Sequence, residues 1–262
     1  MSELSFVIVE DRGPVRRLTL NNPGHKNAIP AGGWGELAEA IESFASSDHR
    51  VLVLRGSGTD FCSGAELSSG DLDDLASPAE GRKRMRGPSR VATSLFRLSK
   101  PSVAAVDGIA FGAGMSLAIG CDVVVAASRA RFSTATVKRG LNLDAGGTWL
   151  LPRLVGIARA RELALTGREI GGSEAVEIGL VARVVEPEML DAAVEDLALE
   201  LAAGAPLAQR FIKVGLARSL AMTFEQAIAY ENQTQATLLT SDDAREGVAA
   251  FIESREPKFH GS

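Results

Sequence analysis

Three observations predict an α/β fold with a parallel sheet and a helical C-terminal region. The runs "RVLVLRG" (50–56), "SVAAVDG" (102–108) and "CDVVVAA" (121–127) are almost continuously apolar, which is typical of strands buried on both faces. Strand-like and helix-like segments alternate along this part of the chain, as they do in parallel βαβ units. After Val185 the pattern changes to successive amphipathic helical segments.

Shorter sequence patterns predict the N-terminal strands and the first helix. "LSFVIVE" and "VRRLTL" are predicted strands joined by a turn at Gly13-Pro14. "GGWGELAEAIESFAS" is a predicted helix, because its large apolar residues recur on one stripe. The residues of that stripe are Trp34, Leu37, Ile41 and Phe44.

The C-terminal third is predicted to be helical throughout. Its segments are "EPEMLDAAVEDLALELAAGAP", "LAQRFIKVGLARSL", "TFEQAIAYENQTQATLL" and "DDAREGVAAFIESR". We therefore divide the chain into a core of residues 1–190 and a helical region of residues 191–262. Helical regions of this kind often pack on a neighbouring subunit, so we expect roles in oligomerisation and in covering the active site.

Composition excludes several classes of protein. Apolar residues make up 45% of the 262, too many for a disordered chain, and the net charge of −5 argues against a nucleic-acid binder. No run approaches the roughly 18 apolar residues of a membrane span, and no secretory signal pattern is present, so we expect a cytoplasmic protein away from membranes. Two cysteines are too few for a disulfide scaffold, and the three histidines lack metal-ligand spacing.

A polar segment, "SSGDLDDLASPAEGRKRMRGPSR" (68–90), places an acidic block before a basic one. The simpler interpretation is a solvated loop and a helix start. The alternative is a mobile flap over a ligand, in which the basic residues attract phosphates. Those residues are Arg82, Lys83, Arg84 and Arg86.

Two glycine-rich stretches follow apolar strands. They are "FCSGAEL" (61–67) and "VDGIAFGAGMSLAIGCD" (106–122), and neither matches a Walker loop, a dinucleotide fingerprint or a nucleophile elbow. Glycine and alanine let a ligand approach the backbone, and two converging N–H groups would form an oxyanion hole. The alternative is tight helix-to-strand packing through small residues.

Asp144 lies in "GLNLDAGGTW" between apolar residues and two glycines. As a helix N-cap, it would precede Ala145 as the first helical residue. As a catalytic acid/base, it would have its pKa raised by desolvation, provided that Leu141 and Leu143 line the pocket. The residues alone leave both interpretations open.

Long segments of the chain resemble the crotonase family, also called the enoyl-CoA hydratase/isomerase superfamily. They include "NNPGHKNAI", "GTDFCSGAEL", "KPSVAAVDGIAFGAGMSLAIGCDVVVAASRARFS" and "AGGTWLLPRLVGIARARELALTGREIGGSEAVEIGLVARVV". The resemblance implies a superhelix of ββα turns, with acyl-CoA binding and catalysis in the core. It also implies a homotrimer or a dimer of trimers, and coenzyme A as part of the thioester substrate rather than as a bound cofactor. No metal is implied.

The resemblance also assigns site residues. It places the oxyanion hole at the backbone N–H groups of Ala65 and Ala113. It implies that further residues contact substrate or coenzyme A, although Lys26 is about as well explained as an ordinary surface lysine. These candidates are Lys26, Ala28, Ser63, Gly64, Gly112, Ser116 and Thr136.

The departures from the family pattern bear on the reaction. Typical hydratases carry two glutamates that activate water, and the corresponding positions here are Ser116 and Thr136. Dienoyl-CoA isomerases, aryl-CoA dehalogenases and the epoxyphenylacetyl-CoA isomerases of phenylacetate degradation place a catalytic aspartate at the position of Asp144. The last group shares the pattern "DxGGTWLLPR", which reads "DAGGTWLLPR" here.

One carboxylate with an oxyanion hole suits a double-bond shift better than hydration. The sequence therefore predicts an acyl-CoA isomerase that uses Asp144 as acid and base. The alternatives are a hydratase of low or altered activity, a dehalogenase-type use of Asp144 as nucleophile, and a non-catalytic acyl-CoA-binding homologue.

Overall fold

A six-stranded sheet forms the base of the molecule. The computed structural model describes residues 5–67 and 77–262. The strand order is β1-β2-β3-β4-β6-β9, with β1 antiparallel to β2 and every other neighbouring pair parallel. The strands are β1 (Val7–Arg12), β2 (Val15–Leu20), β3 (Val51–Gly56), β4 (Ser102–Val106), β6 (Val123–Ala127) and β9 (Arg183–Val185).

A smaller sheet of three short strands forms a second layer of the fold. These strands are β5 (Ile109–Phe111), β7 (Arg131–Ser133) and β8 (Ile170–Gly171). Isolated parallel bridges join Ile29 to Ala65 and Cys62 to Ala110, so loop segments extend this second layer beyond its strands. The layer therefore brings glycine-rich loops from different parts of the chain side by side.

Helices cover both faces of the larger sheet. Within the described residues they are α1 (Gly33–Ala45), α2 (Pro78–Arg84), α3 (Arg86–Phe96), α4 (Ala113–Gly120), α5 (Gly147–Val155), α6 (Ile157–Thr166), α7 (Gly172–Glu177), α8 (Leu190–Ala203), α9 (Pro206–Ser219), α10 (Phe224–Leu238) and α11 (Asp242–Glu253). Short 3-10 turns lie at Pro23–His25, Thr136–Arg139 and Pro187–Met189.

The larger sheet is buried on both faces, which explains its continuous apolar runs. One face contacts α1, α3, α4 and the smaller sheet in the main core, where Leu52, Leu54 and Ala104 are fully buried. The other face packs Val53 and Val103 against α8 in a second core. Alternate residues of the same strand thus enter different cores, and a polar residue at either position would be buried.

The last three helices bury little of their apolar surface. Neither α9 nor α10 has a fully buried residue, and Phe251 on α11 is 85% exposed. One attachment of α9 to the core is Lys213, whose ammonium lies 2.6 Å from an Asp122 carboxylate oxygen and donates to the Lys100 carbonyl. In the described part of the chain, no helix is long and apolar enough to cross a bilayer.

The predicted α/β architecture and helical C-terminal region are confirmed. The strand predicted over 102–108 ends at Val106, because the chain turns through Gly108 at a φ of +51°. Of the segment 68–90, residues 68–76 lie outside the described residues, and α2 and the start of α3 occupy much of the remainder. The division of the chain at residue 190 stays a prediction.

Asn27 ties the loop after β2 to the loop after β3. Its side chain is fully buried, and its amide donates to the carbonyls of Ser57 and Asp60 at 2.9 and 2.6 Å. Its carbonyl oxygen accepts from the Asn22 N–H and the Ser57 hydroxyl. Its φ of +54° is one that asparagine tolerates better than most residues.

Replacing Asn27 with alanine should lower the free energy of unfolding by about 2–4 kcal/mol. Buried backbone groups would lose their partners, and alanine is less favourable at a positive φ. Urea denaturation followed by circular dichroism measures the change. Asn142→Ala, at an exposed asparagine, is the matched control and should shift the midpoint little. Equal midpoints for the two variants would contradict the bracing role of Asn27.

Candidate functional site

A cavity of about 700 Å³ lies where the glycine-rich loops meet the turn before α5. Chain segments far apart in sequence form its wall, because the second layer brings their loops together. Its lining residues are His25, Ala28, Ala31, Ser63, Gly64, Ala65, Glu66, Leu67, Arg84, Gly112, Ala113, Thr136, Arg139, Leu141 and Asp144.

The loop that carries Ala65 is fixed by backbone hydrogen bonds to residues 26–29. The Ser63 N–H donates to the Lys26 carbonyl at 3.0 Å, and the Ile29 N–H donates to the Gly64 carbonyl at 2.8 Å. The Glu66 N–H then donates back to the Ile29 carbonyl at 2.9 Å. These bonds hold Ala65 in a defined position without using its own N–H.

Gly64 is required by both conformation and space. Its φ is +100°, and a Cβ atom there would lie 3.0 Å from the Phe111 carbonyl oxygen. The same Cβ position is 3.4 Å from the Ala113 nitrogen. The absence of a side chain therefore lets the Ala65 loop lie directly beside the start of α4.

Ala113 is the first residue of α4, which begins after Gly112. The N–H groups of a helix's first turn have no partner inside the helix, and the helix dipole makes this end positive. Among the described residues, neither the Ala65 N–H nor the Ala113 N–H donates a hydrogen bond to another group. Both are therefore available to an oxygen atom that gains negative charge.

Asp144 lies on the same cavity, one tight turn before α5. The Gly147 N–H donates to the Asp144 carbonyl at 2.9 Å, and the intervening Ala145 and Gly146 have φ values of +46° and +87°. Helix α5 starts at Gly147 with Gly146 as its N-cap. The interpretation of Asp144 as the helix N-cap, with Ala145 as the first helical residue, is therefore wrong. Two left-handed residues separate the carboxylate from the helix.

The Asp144 side chain is half-buried, and its carboxylate is incompletely satisfied. One of its oxygens, Oδ1, is inaccessible to solvent and has no hydrogen-bond partner in the described structure. Burial raises the pKa of Asp144, while the hydrogen bond from its own backbone N–H lowers it by less. A carboxylate with a free oxygen and a raised pKa is suited to accepting and returning a proton.

Cys62 is close enough to be affected by the charge of Asp144. The thiol is fully buried, and burial raises its pKa to about 12, with the negative charge of Asp144 acting in the same direction. The thiol is therefore neutral near pH 7 and is not a nucleophile. Within the described residues, no cluster of His, Cys, Asp and Glu side chains could hold a metal ion.

Charged side chains surround the wider part of the cavity. His25 Nδ1 lies 2.7 Å from Glu66 Oε1, and Arg84 and Arg139 also line the wall. Glu66 and Asp144 are the carboxylates of the described lining, and of these two Glu66 contacts a side chain of the same lining, the imidazole of His25. Asp144 has no such side-chain contact among the described residues.

The cavity brings together eight of the ten residues named from the sequence. Lys26 and Ser116 are not part of its lining. Lys26 is exposed and contributes its carbonyl to the Ala65 loop, whereas Ser116 is buried and lines a neighbouring cavity. The eight are Ala28, Ser63, Gly64, Ala65, Gly112, Ala113, Thr136 and Asp144.

His25 and Arg139 line the cavity but were not among the site residues predicted from the sequence. His25 lies within the quoted motif "NNPGHKNAI", so that motif could have indicated it. Arg139 has no such signal, because only the tertiary structure brings residues 136–139 to the cavity. A tryptophan within an apolar run is usually largely buried, but Trp149 is 38% exposed, with the guanidinium of Arg153 3.8 Å from the centre of its ring.

Two backbone N–H groups without a partner in the described part of the chain, next to a half-buried carboxylate, are typical of enzymes that stabilise an oxyanion while they move a proton. A family model described as enoyl-CoA hydratase/isomerase matches residues 10–262. The chain therefore belongs to the enoyl-CoA hydratase/isomerase family, as its resemblance to the crotonases predicted.

Known relatives agree on the family and differ in reaction. The chain is 36% identical over 260 residues to a 1,2-epoxyphenylacetyl-CoA isomerase of Escherichia coli, covering 98% of this chain and 99% of that protein. It is 34% identical over 256 residues to a short-chain-enoyl-CoA hydratase of Clostridium acetobutylicum, covering 97% of each. The crystal structure of an enoyl-CoA hydratase from Polaromonas superposes with a TM-score of 0.92 at 32% identity, covering 97% of this chain and 99% of that one.

Proposed function

We propose that the protein is an enoyl-CoA isomerase in which Asp144 moves a proton between two carbons of the acyl group. The observation that carries this proposal is the unpartnered, buried Asp144 oxygen in the same cavity as the free N–H groups of Ala65 and Ala113. The similarity to an isomerase of Escherichia coli supports it, although the relatives also include hydratases.

The reaction follows from these groups. In a 3-enoyl-CoA, ionised Asp144 takes a proton from C2, and the electron pair of the broken C–H bond forms a dienolate with the charge on the thioester oxygen. The Ala65 and Ala113 N–H groups donate to that oxygen. The carbonyl then re-forms, the double bond moves to C2–C3, and Asp144 returns its proton to C4. This proton transfer needs no metal or redox cofactor.

Hydration is less well supported by the residues present. It requires a water molecule to be held and deprotonated, which hydratases of this family achieve with two glutamates. Here the corresponding residues are Ser116, buried and outside the cavity lining, and Thr136 within it. Neither hydroxyl is a base near pH 7 without a partner.

The arginines of the cavity suit a coenzyme A thioester. Arg84 and Arg139 line the same wall as the oxyanion loop, and phosphates of coenzyme A are anions. We therefore infer that Ala28, Ser63, Gly64, Gly112 and Thr136 contact the substrate, as the family resemblance implies. Roles for Lys26 and Ser116 in substrate binding, and a cytoplasmic location, remain predictions.

Isotope incorporation tests the reaction. The protein is incubated in deuterated water with a 3-enoyl-CoA and, separately, with a 2-enoyl-CoA, and the products are analysed by mass spectrometry and NMR. We expect the double bond to move with no addition of water, and deuterium to enter C2 or C4 to the extent that Asp144 exchanges the abstracted proton with solvent before returning it. A stable hydroxyacyl-CoA product would favour the hydratase instead. Tight coenzyme A binding with no turnover of any thioester would favour the non-catalytic homologue.

The acid limb of the pH–rate profile reports the ionisation of Asp144. Burial raises its pKa above the ordinary value of 3.8, and the carboxylate must be ionised to accept the C2 proton. The rate should therefore fall with decreasing pH, with a half-point above the ordinary value. Measurements of kcat/KM from about pH 3 to pH 8 check this, and a half-point at or below about 3.9 would contradict it.

An oligomer should form through the exposed C-terminal helices. Leu216, Leu220 and Phe224 expose about 70% or more of their surface, and such apolar area is commonly covered by a partner. We expect sedimentation equilibrium to give three or six times the chain mass of 27.5 kDa. Phe251→Asp should weaken the assembly. A single-chain mass at micromolar concentration would rule out the trimer.

A further inference from the structure

The Ala65 N–H, which belongs to a loop, takes its direction from the peptide between Gly64 and Ala65. The Gly64 carbonyl accepts from the Ile29 N–H at 2.8 Å. In a trans peptide the N–H points away from the carbonyl, so the Ala65 N–H points away from Ile29. Its direction therefore depends on how residues 63–66 are held against residues 25–29.

His25 contacts both ends of the segment 63–66. At one end its carbonyl accepts from the Ser63 hydroxyl at 3.1 Å. At the other end its imidazole Nδ1 lies 2.7 Å from Glu66 Oε1. A carboxylate only accepts hydrogen bonds, so Nδ1 carries the hydrogen and donates it to Glu66. The peptide that bears the Ala65 N–H thus lies between two contacts made to one residue.

The backbone of His25 is itself well fixed. His25 ends a 3-10 turn, its N–H donates to the Asn22 carbonyl, and its carbonyl also accepts from the Ala28 N–H, each at 3.0 Å. Two residues further on, buried Asn27 fastens the same loop to the loop after β3. The Glu66 carboxylate is therefore tied to a part of the chain that is held independently of the cavity.

The other oxyanion donor needs no such tie. Ala113 is the first residue of α4, and the helix sets the direction of its N–H. Ala65 lies in a loop, where a side-chain contact adds to the backbone hydrogen bonds in restricting movement. An error of about 1 Å in the placement of a catalytic group can cost about a hundredfold in rate. The loop donor is therefore the one whose alignment benefits from a side-chain contact.

We propose that Glu66 is a positioning residue, which acts through His25 to hold the Ala65 N–H in line with the thioester oxygen. The proposal rests on the oxyanion hole of the function proposed above, and it adds the residue that keeps one donor aligned. The side chains of His25 and Glu66 are 65% and 34% exposed, and exposed contacts of this kind contribute little to stability. Loss of the contact should therefore disturb the alignment and leave the fold intact.

The infrared carbonyl band of a bound thioester reports this alignment without turnover. Hexanoyl-CoA labelled with carbon-13 at the thioester carbonyl has no double bond to move, and hydrogen bonds to its oxygen shift the band to lower frequency. We expect a smaller shift in Glu66→Ala than in the wild type. Glu66→Gln should keep the wild-type shift, because its amide oxygen still accepts from His25. Asp191→Ala, which removes an exposed carboxylate bound to Arg55 outside the cavity lining, is the matched control and should also keep it.

Kinetics and a double-mutant cycle test the same role. Glu66→Ala should lower kcat for a 3-enoyl-CoA about tenfold to a hundredfold, and the affinity for free coenzyme A should not weaken. His25→Ala should cost a similar factor. The double variant should be no slower than either single variant, because the two side chains act as one unit. Costs that multiply in the double variant would show that His25 and Glu66 act independently, and would overturn the proposal.

The carbonyl band separates this proposal from the proposed reaction, with circular dichroism checking that each variant is folded. A full shift in folded Glu66→Ala would overturn the positioning role and leave the oxyanion hole intact. No shift in the wild type would overturn the oxyanion hole, and the positioning role with it. A shift that falls in Glu66→Ala and returns in Glu66→Gln would support the positioning role even if no double-bond migration were detected. In that case only the isomerase function would fail.

Discussion

Asp144→Asn should lower kcat/KM for isomerisation of a 3-enoyl-CoA by a factor of about 10²–10⁴, the usual contribution of a general acid/base. Asparagine has nearly the same shape but cannot accept the C2 proton. The loss should appear mainly in kcat, because the thioester contacts of Ala65 and Ala113 remain. Steady-state assays of double-bond migration, with deuterium exchange at C2 as a second readout, measure the effect.

The same variant should be more stable than the wild type near pH 7. Because the folded-state pKa of Asp144 is raised, the folded protein loses stability as pH rises from the ordinary value through the raised one. Asparagine removes this loss, so the difference should vanish in acid. Asp196→Asn, on the exposed side of α8, is the control and should change neither rate nor stability. Unchanged turnover in Asp144→Asn would refute the proposed mechanism.

Ala113→Pro should lower the rate by at least about 10²–10³, the usual effect of removing one oxyanion donor. Proline is tolerated at the first position of a helix, so α4 should still form without this N–H. The proline ring also enters the space where the thioester oxygen would lie, so KM for the thioester should rise. Calorimetry with free coenzyme A, which has no thioester oxygen, should show nearly normal binding.

Ala113→Gly is the matched control for the backbone donor. Glycine keeps the N–H group, so catalysis should stay close to that of the wild type. Circular dichroism of both variants checks that the fold is intact. If folded Ala113→Pro kept wild-type turnover, the Ala113 N–H would have no part in stabilising the enolate.

The sequence predicted the architecture because its dominant signals are local and periodic. Continuous apolar runs at β3, β4 and β6 match strands covered on both faces, and the stripe on α1 matches its buried side. The same local signal does not reveal the exposure of Trp149. An aromatic residue in an apolar run resembles a core residue, but the side of α5 on which it lies is set by packing against α4 and α6.

The turn at Asp144 was ambiguous in sequence because an acid before a glycine pair suits both a helix cap and a pocket residue. Backbone conformation decided it. The left-handed Ala145 and Gly146 move the start of α5 to Gly147 and leave Asp144 outside the helix. No local pattern encodes a positive φ at an alanine, because it depends on the surrounding contacts.

By itself the sequence determined the family and the α/β architecture, and it predicted the residues that we propose supply the backbone N–H groups and the acid. The tertiary structure decided which of these residues share a cavity, that one Asp144 oxygen has no partner among the described residues, and that Ser116 lines a different cavity from Asp144. The physical reason is that periodicity reports on which face of an element is buried. Burial of a charge and the availability of an N–H group depend instead on segments that meet only when the chain is folded.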